Sequence, residues 1–278
     1  MSTTRVAVLA TVEGSPAAVI AHDRAGWVGL FTTDGRVEDP VGSRPHVGAN
    51  QLERFYDTFI GPRTITFHRD VDVVTGGQER SDPGNGTGGS VLRDLVLEVA
   101  MADAVTMHIP AILRYDVRPS GDELRIEALR AYWELPAMAV QFARCGPAAV
   151  PAGLQLTRTL VRNQGALGAA GFLTGVPGVG SRGKRLMSDF LAEAAAGDEV
   201  AVKRRLGAGL EVTAGDNTPL PQAELMALLA GTQVHTLLAA GRSVAARVSG
   251  EGRSLVLIAE FRARPIGLHR VRVFADEG

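Results

Sequence analysis

The sequence predicts an α+β chain built twice on one plan. Three observations carry that reading. Helical signals start at Ser15-Pro16 and recur at 48–59, and strand-like runs follow at 63–75, 90–102, 105–118 and 123–134. The segment GVPGVGSRG at 175–183 then breaks regular structure. After it the same order returns, with helical patterns at 184–196, 198–207 and 220–230 and further strands over 232–275. The chain divides accordingly into a first domain over residues 1–140, a helical linker over 141–182, and a shorter second copy over 183–278.

Ser15-Pro16 reads as a helix start, a capping residue followed by proline at the first helical position. Apolar residues continue to Trp27, Leu30 and Phe31. A helix over 48–59 places Leu52, Phe55, Tyr56 and Phe59 on one face. Among the strands, 105–118 alternates most clearly. Ile109, Ala111, Leu113, Tyr115 and Val117 share one face, and His108, Arg114 and Asp116 share the other. Gly76–Gly89 and Pro119–Asp122 are turn-rich separators. Residues 136–175 read as helix, interrupted by CGPAAVPAG at 145–153.

Composition narrows the partners. Lys plus Arg number 29 and Asp plus Glu number 30, so the chain has no field to gather a polyanion, and no nucleic-acid partner is expected. No window approaches the ~18 consecutive apolar residues of a membrane span. The single cysteine, Cys145, forms no intrachain disulfide, which fits a reducing, cytoplasmic setting.

Most motif-like strings dissolve on inspection. Gly84-Asn85-Gly86-Thr87-Gly88-Gly89 satisfies G-x-G-x-x-G, but a strand-like SVLRDLVLEV follows where phosphate binding needs a helix. Gly178–Arg185 matches a P-loop at all but the last position, where Arg185 replaces the magnesium-binding Ser or Thr. It reads as a linker opening a basic helix. The six histidines show no i, i+4 metal pair, so neither a metal nor a cofactor is expected. No G-x-S-x-G is present. Asp39, in VEDPVGSRP at 37–45, stands before a proline. By spacing alone it is either a turn-former or a working acid or base.

Several strings, taken in order, give Asp39 a context. They are Trp27-Val28-Gly29-Leu30-Phe31, Val37-Glu38-Asp39-Pro40-Val41-Gly42-Ser43, Phe55-Tyr56 and Arg130-Ala131-Tyr132-Trp133. Over about residues 15–135 the chain resembles the ketosteroid isomerases, members of the NTF2-like or SnoaL-like superfamily. The resemblance implies a cone: a curved, mostly antiparallel sheet wrapped on helices, with an apolar pocket at its mouth. Two such cones in tandem, joined by a helical linker, are the expected architecture.

The resemblance further implies that Asp39 is the catalytic base, moving a proton beside a ketone while hydrogen-bond donors hold the dienolate oxygen, a logic known from this family. The implied lining includes Phe31, Tyr56, Leu113, Tyr115 and Trp133. Two departures stand out. Ser15 falls where the family has its oxyanion tyrosine, and Leu113 (or Ile112, one register away) where it has a protonated aspartate. In the second copy Phe190 takes the tyrosine position and Ala214 the base position. Asp216 lies close by in a turn, and Glu260 falls near the acid position. The expected ligand is a small, flat, apolar molecule, steroid-like or polyketide-like. The expected activity is that of a steroid delta-isomerase. A non-catalytic steroid- or lipid-binding module, or another SnoaL-like chemistry such as a cyclase or dehydratase, is the alternative. The second copy is expected to serve as a built-in partner, making an internal pseudo-dimer, or else the chain forms a homodimer.

Overall fold

The computed structural model describes residues 4–76, 88–101, 105–151, 153–154, 158, 162 and 178–276. Residues 84–87 of the glycine-rich loop and most of the linker expected over 141–182 lie outside them.

The first helix, α1 (Arg5–Ile20), starts earlier than Ser15-Pro16 suggests. The Thr4 hydroxyl accepts from the Ala7 N–H at 3.2 Å and supplies the cap one turn into the chain. Pro16 therefore sits inside the helix, where it removes one backbone hydrogen bond. What holds the helix through it is burial: Val8, Val12, Ser15, Pro16 and Val19 form one stripe against the sheet. Asp23 caps α2 (Arg24–Gly29), its Oδ1 accepting from Gly26 N–H at 2.8 Å. Then come β1 (Phe31–Glu38), β2 (His46–Val47) and α3 (Ala49–Phe55), which runs on as a π-helical turn over Tyr56–Ile60.

Four long strands complete the unit: β3 (Thr64–Thr75), β4 (Gly89–Met101), β5 (Val105–Ser120) and β6 (Glu123–Tyr132). The sheet order is β2-β1-β6-β5-β4-β3. Only β1 and β6 pair in parallel; the other neighbours are antiparallel. Strand β1 was not expected from the sequence, because its polar residues Thr32, Thr33, Asp34 and Arg36 mask the alternation. Helix α4 (Leu135–Arg144) follows β6.

The second unit repeats the plan: α5 (Gly180–Ala195), α6 (Glu199–Gly207), β7 (Glu211–Ala214), β8 (Thr218–Pro219), α7 (Gln222–Leu229), then β9 (Gln233–Ala240), β10 (Ser243–Gly250), β11 (Arg253–Ala263) and β12 (Ile266–Ala275). Its order, β8-β7-β12-β11-β10-β9, matches the first sheet strand for strand, including the one parallel pair β7–β12. The chain is thus α+β, two open six-stranded mixed sheets, each packed on its own helices.

Each unit has its own core. In the first, Ile109, Ala111, Leu113, Tyr115 and Val117 of β5 meet α1 residues and Trp27. In the second, Met187, Phe190 and Leu191 of α5 fill the inner side of the sheet. A third cluster lies between the sheets. Val73, Leu92, Ile112 and Tyr132 of the first meet Leu238, Ala245, Val256, Ile258 and Phe274 of the second. Fully burying each such side chain contributes about 1.5–3 kcal/mol.

Charges are laid into the same face. Arg247 Nε lies 2.6 Å from Asp94 and its Nη2 2.6 Å from Asp70. The Arg114 side chain, 3% exposed, bonds Asp116 at 2.8 Å and Asp216 at 2.5 Å and stacks over the Phe274 ring. The P-loop-like string opens α5, and its Lys184 pairs with Glu134 at 2.8 Å.

Candidate functional site

Asp39 leaves the end of β1 at the inner edge of the first sheet. The backbone fixes it there. Val41 N–H donates to Ala131 O at 2.8 Å, which ties the loop to β6, and Gly42 N–H donates to the Glu38 carboxylate at 2.8 Å. The peptide between Asp39 and Pro40 is cis. Trp133, the residue after β6, donates its indole N–H to Asp39 Oδ1 at 2.5 Å.

This carboxylate opens on a cavity of about 390 Å³. The size lies within the ~300–1,000 Å³ range of small-molecule sites. Its walls are almost wholly apolar. The sheet supplies Ile65, Phe67, Leu97, Val99, Ile109 and Leu113 among others, and α1, α2 and α3 close the opposite side with Val19, Trp27 and Phe55. Helix α4 adds Met138, Ala139 and Phe142. Its Gln141 clamps the edge of β5, donating to His108 O at 2.8 Å and accepting from His108 N–H at 3.1 Å. The start of the segment after the first sheet therefore forms part of the pocket wall.

Besides the indole N–H groups of Trp27 and Trp133, the lining residues with polar side-chain groups are Asp39, Arg63, Ser15 and Tyr115. Burial raises the Asp39 carboxyl to about 6, and the Trp133 hydrogen bond and the Arg63 charge hold it from going higher. Asp39 is thus largely ionised at neutral pH yet basic for a carboxylate, as proton transfer from carbon requires. Burial lowers the Arg63 guanidinium to about 10, with Asp39 opposing. Ser15 is 3% exposed and accepts from Trp27 Nε1 at 3.2 Å. The Tyr115 hydroxyl is raised by burial and held down by its hydrogen bond to Ser15.

The expected site residues fall in three places. Asp39, Leu113, Tyr115 and Trp133 line the cavity together. Phe31 and Tyr56 stand one layer behind it. Both pack on Trp27, with ring centroids 4.9 and 5.7 Å away, and Trp27 presents its own surface to the cavity. The Tyr56 hydroxyl is buried without a hydrogen-bond partner among the described residues. Glu260 is placed elsewhere. Along β11, Leu257, Ala259 and Phe261 face the second-unit core. Val256, Ile258 and Glu260 alternate onto the face turned to the first unit, where Glu260 pairs with Arg272 at 2.6 Å. Asp216 also lies on that face, pairing with Arg114 and Arg272.

Arg63 was not foreseen. The available signal was its parity: Arg63, just before β3, alternates with Ile65 and Phe67 of that strand and all three line the cavity, so a cation stands on an apolar row. Met138 and Phe142, spaced i and i+4, announce the inward face of α4 in the same way. Among the described residues, no three His, Cys, Asp or Glu side chains gather as a metal site, and no helix is long and apolar enough to cross a membrane.

Residues 7–102 match the family model of the nuclear transport factor 2 (NTF2) domain. Among solved structures, a Delta 5-3-ketosteroid isomerase from Mycobacterium sp. is similar at 28% identity, covering 47% of this chain and 95% of that one, with a TM-score of 0.38. A Mycobacterium tuberculosis protein in complex with estradiol-17beta-hemisuccinate is similar at 26% identity, covering 46% of this chain and 95% of its own, also with a TM-score of 0.38. Over residues 7–102 the chain is thus similar to the NTF2 domain.

Proposed function

We propose that the first unit binds a flat, apolar, steroid-like or polyketide-like molecule and that Asp39 moves a proton on it, as a steroid delta-isomerase does. One observation carries this reading: an ionisable carboxylate, oriented by Trp133, faces a cavity whose walls are otherwise almost entirely apolar. In that setting the ionised Asp39 takes a proton from the carbon between a ketone and a double bond. The electron pair moves onto the ketone oxygen as a dienolate. The protonated Asp39 then returns the proton to the far end of the conjugated system, and the oxygen regains its double bond. Atoms and charge balance without a metal or a cofactor. Asp39 is the catalytic residue, and Leu113, Tyr115 and Trp133 are the binding surface.

The test follows conjugated-enone absorbance with a 5-ene-3-ketosteroid for the parent and for Asp39→Asn. A fall of at least about a hundredfold in the variant is expected for loss of a general base. Equal rates in the two remove Asp39 from the mechanism.

A second reading is favoured by Ser15 and Leu113, which stand where oxyanion donors are expected. In that reading the unit carries or senses its ligand without turnover. Saturable steroid binding with no enone formed would select it. In both readings the first unit, residues 1–140, holds the ligand together with Phe142 from the start of the following segment. Residues 183–278 serve as a covalently attached partner for the sheet, with 141–182 connecting them in the soluble, cytoplasmic protein.

A further inference from the structure

Arg63 is the feature of the pocket that proton transfer does not use. It stands one residue before β3, on the inward row that Ile65 and Phe67 continue. Its Nη1 donates to the Thr58 carbonyl at 2.8 Å, its Nε points to the Met101 sulfur at 3.2 Å, and its guanidinium lies 5.9 Å from the centre of the Phe59 ring. These contacts hold the side chain in place without neutralising it. The described hydrogen bonds engage Nε and Nη1; Nη2 has no partner among the described residues. Asp39 acts on Arg63 through its field, but no described carboxylate makes ion-pair contact with the guanidinium.

A cation taken out of water and left without a counter-ion is costly unless something else supplies the charge. The buried arginines among the described residues obey this rule: Arg93, Arg114 and Arg247 each meet carboxylates at 2.5–2.8 Å. Arg63, half-buried in the cavity wall, departs from it. Resting on the ligand pocket proposed above, we infer that the occupant is a flat apolar acid whose carboxylate is held by the Arg63 guanidinium. The free Nη2 of the charged guanidinium offers a carboxylate a charge-assisted hydrogen bond, and the low-polarity walls strengthen it. The apolar body then lies along Ile65, Phe67 and Leu97 toward Trp133.

The test compares two probes of one shape, 1-pyrenebutyric acid and its carboxamide, titrated by fluorescence at pH 8 against the full chain. The parent should bind the acid at least roughly tenfold more tightly, the worth of one charge-assisted contact. Arg63→Met should weaken the acid by that factor and leave the amide within about twofold, which would correspond to less than half a kcal/mol. Where that variant does not fold, Arg63→Gln is read in the same way. Equal affinity of acid and amide for the parent overturns the inference while leaving the pocket intact. Equal weakening of both probes by the substitution also overturns it, reducing Arg63 to packing. Failure of both probes to bind the parent sinks the inference and the pocket together.

Discussion

Trp133 donates its indole N–H to the Asp39 carboxylate at 2.5 Å, across a pocket in which few other groups are polar. The bond joins the end of β1 to the end of β6, the one parallel pair in the sheet. It orients the carboxylate and favours its charged form. The opposing influence is burial, and burial wins: the folded Asp39 titrates near 6 rather than at its ordinary 3.8.

The pH dependence of the proposed activity follows directly. The ionised form is the base, so turnover should rise as pH increases through about 6 and level off above 7. A kcat profile measured from pH 4.5 to 8.5 checks this. A flat profile across that window would detach the rate from Asp39.

Stability runs the other way. A carboxyl whose folded pKa is raised keeps its proton more readily in the folded state than in the unfolded one. Its penalty is absent below about pH 4, grows as pH rises, and is complete above about 6. Asp39→Asn removes that penalty. The variant should be more stable than the parent at pH 8, on the order of 2–3 kcal/mol if the roughly two-unit shift is fully expressed, with the advantage vanishing at pH 4. Urea unfolding at the two pH values gives the comparison.

Removing the donor separates orientation from burial. Trp133→Phe keeps an aromatic ring on the wall but leaves the carboxylate without its N–H. One charge-assisted hydrogen bond is worth roughly 1.5–3 kcal/mol, so the acidic limb should move up by about 1–2 units. Turnover then falls most near pH 6 and least near pH 8.5. A uniform loss at all pH values would assign Trp133 to substrate packing alone.

Much of this site was legible in the sequence, and the reasons differ by residue. Asp39 and Trp133 sit in strings with a specific resemblance, and the period-two pattern of β5 placed Leu113 and Tyr115 on the inner face. Phe31 and Tyr56 lie one layer too deep, because aromatic order along a chain does not tell wall from backing. Glu260 fell on the other face for the same geometric reason that makes strands informative: a displacement of one residue reverses the side. The opposite face of β5 was the harder problem. His108, Arg114 and Asp116 read as a polar outer face, yet on that face Ile112 is fully buried and Arg114 nearly so, because the second sheet covers them. Nothing local to β5 announces a partner that arrives more than a hundred residues later.

That partnership is open to test at Asp94. Its carboxylate accepts from Arg247 at 2.6 Å and from the Thr236 hydroxyl at 2.7 Å, both on the second unit, and it is only 5% exposed. Asp94→Ala leaves Arg247 with the exposed Asp70 alone. Breaking a buried pair by removing one partner costs about 3–5 kcal/mol, and Asp70 should reduce this to about 2–3. Unfolding should remain monophasic if the two sheets act as one cooperative body, and split into two transitions if they do not.

The second unit also reaches the neighbourhood of Asp39 itself. Gly42, three residues on, has φ of +95°, and a Cβ placed there would lie 2.6 Å from Gly241 Cα in the turn between β9 and β10. Gly241 in turn accepts from Val179 N–H through its carbonyl at 2.9 Å, and Glu134, directly after Trp133, accepts from Ala239 N–H at 3.1 Å and from Lys184 at 2.8 Å. Two backbones meeting without side chains leave no room to yield. Gly42→Ala combines a left-handed backbone with a contact below van der Waals distance, so a loss of about 2–4 kcal/mol is expected. More telling is where the strain goes. The loop that carries Asp39 must move off Gly241, lengthening the Trp133 hydrogen bond, so Gly42→Ala should shift the acidic limb upward as Trp133→Phe does, though by less. Gly48→Ala, where φ is +77° but the nearest atom is 3.6 Å away, should cost stability without moving that limb. If the two variants shift the profile equally, the second unit plays no part in positioning Asp39.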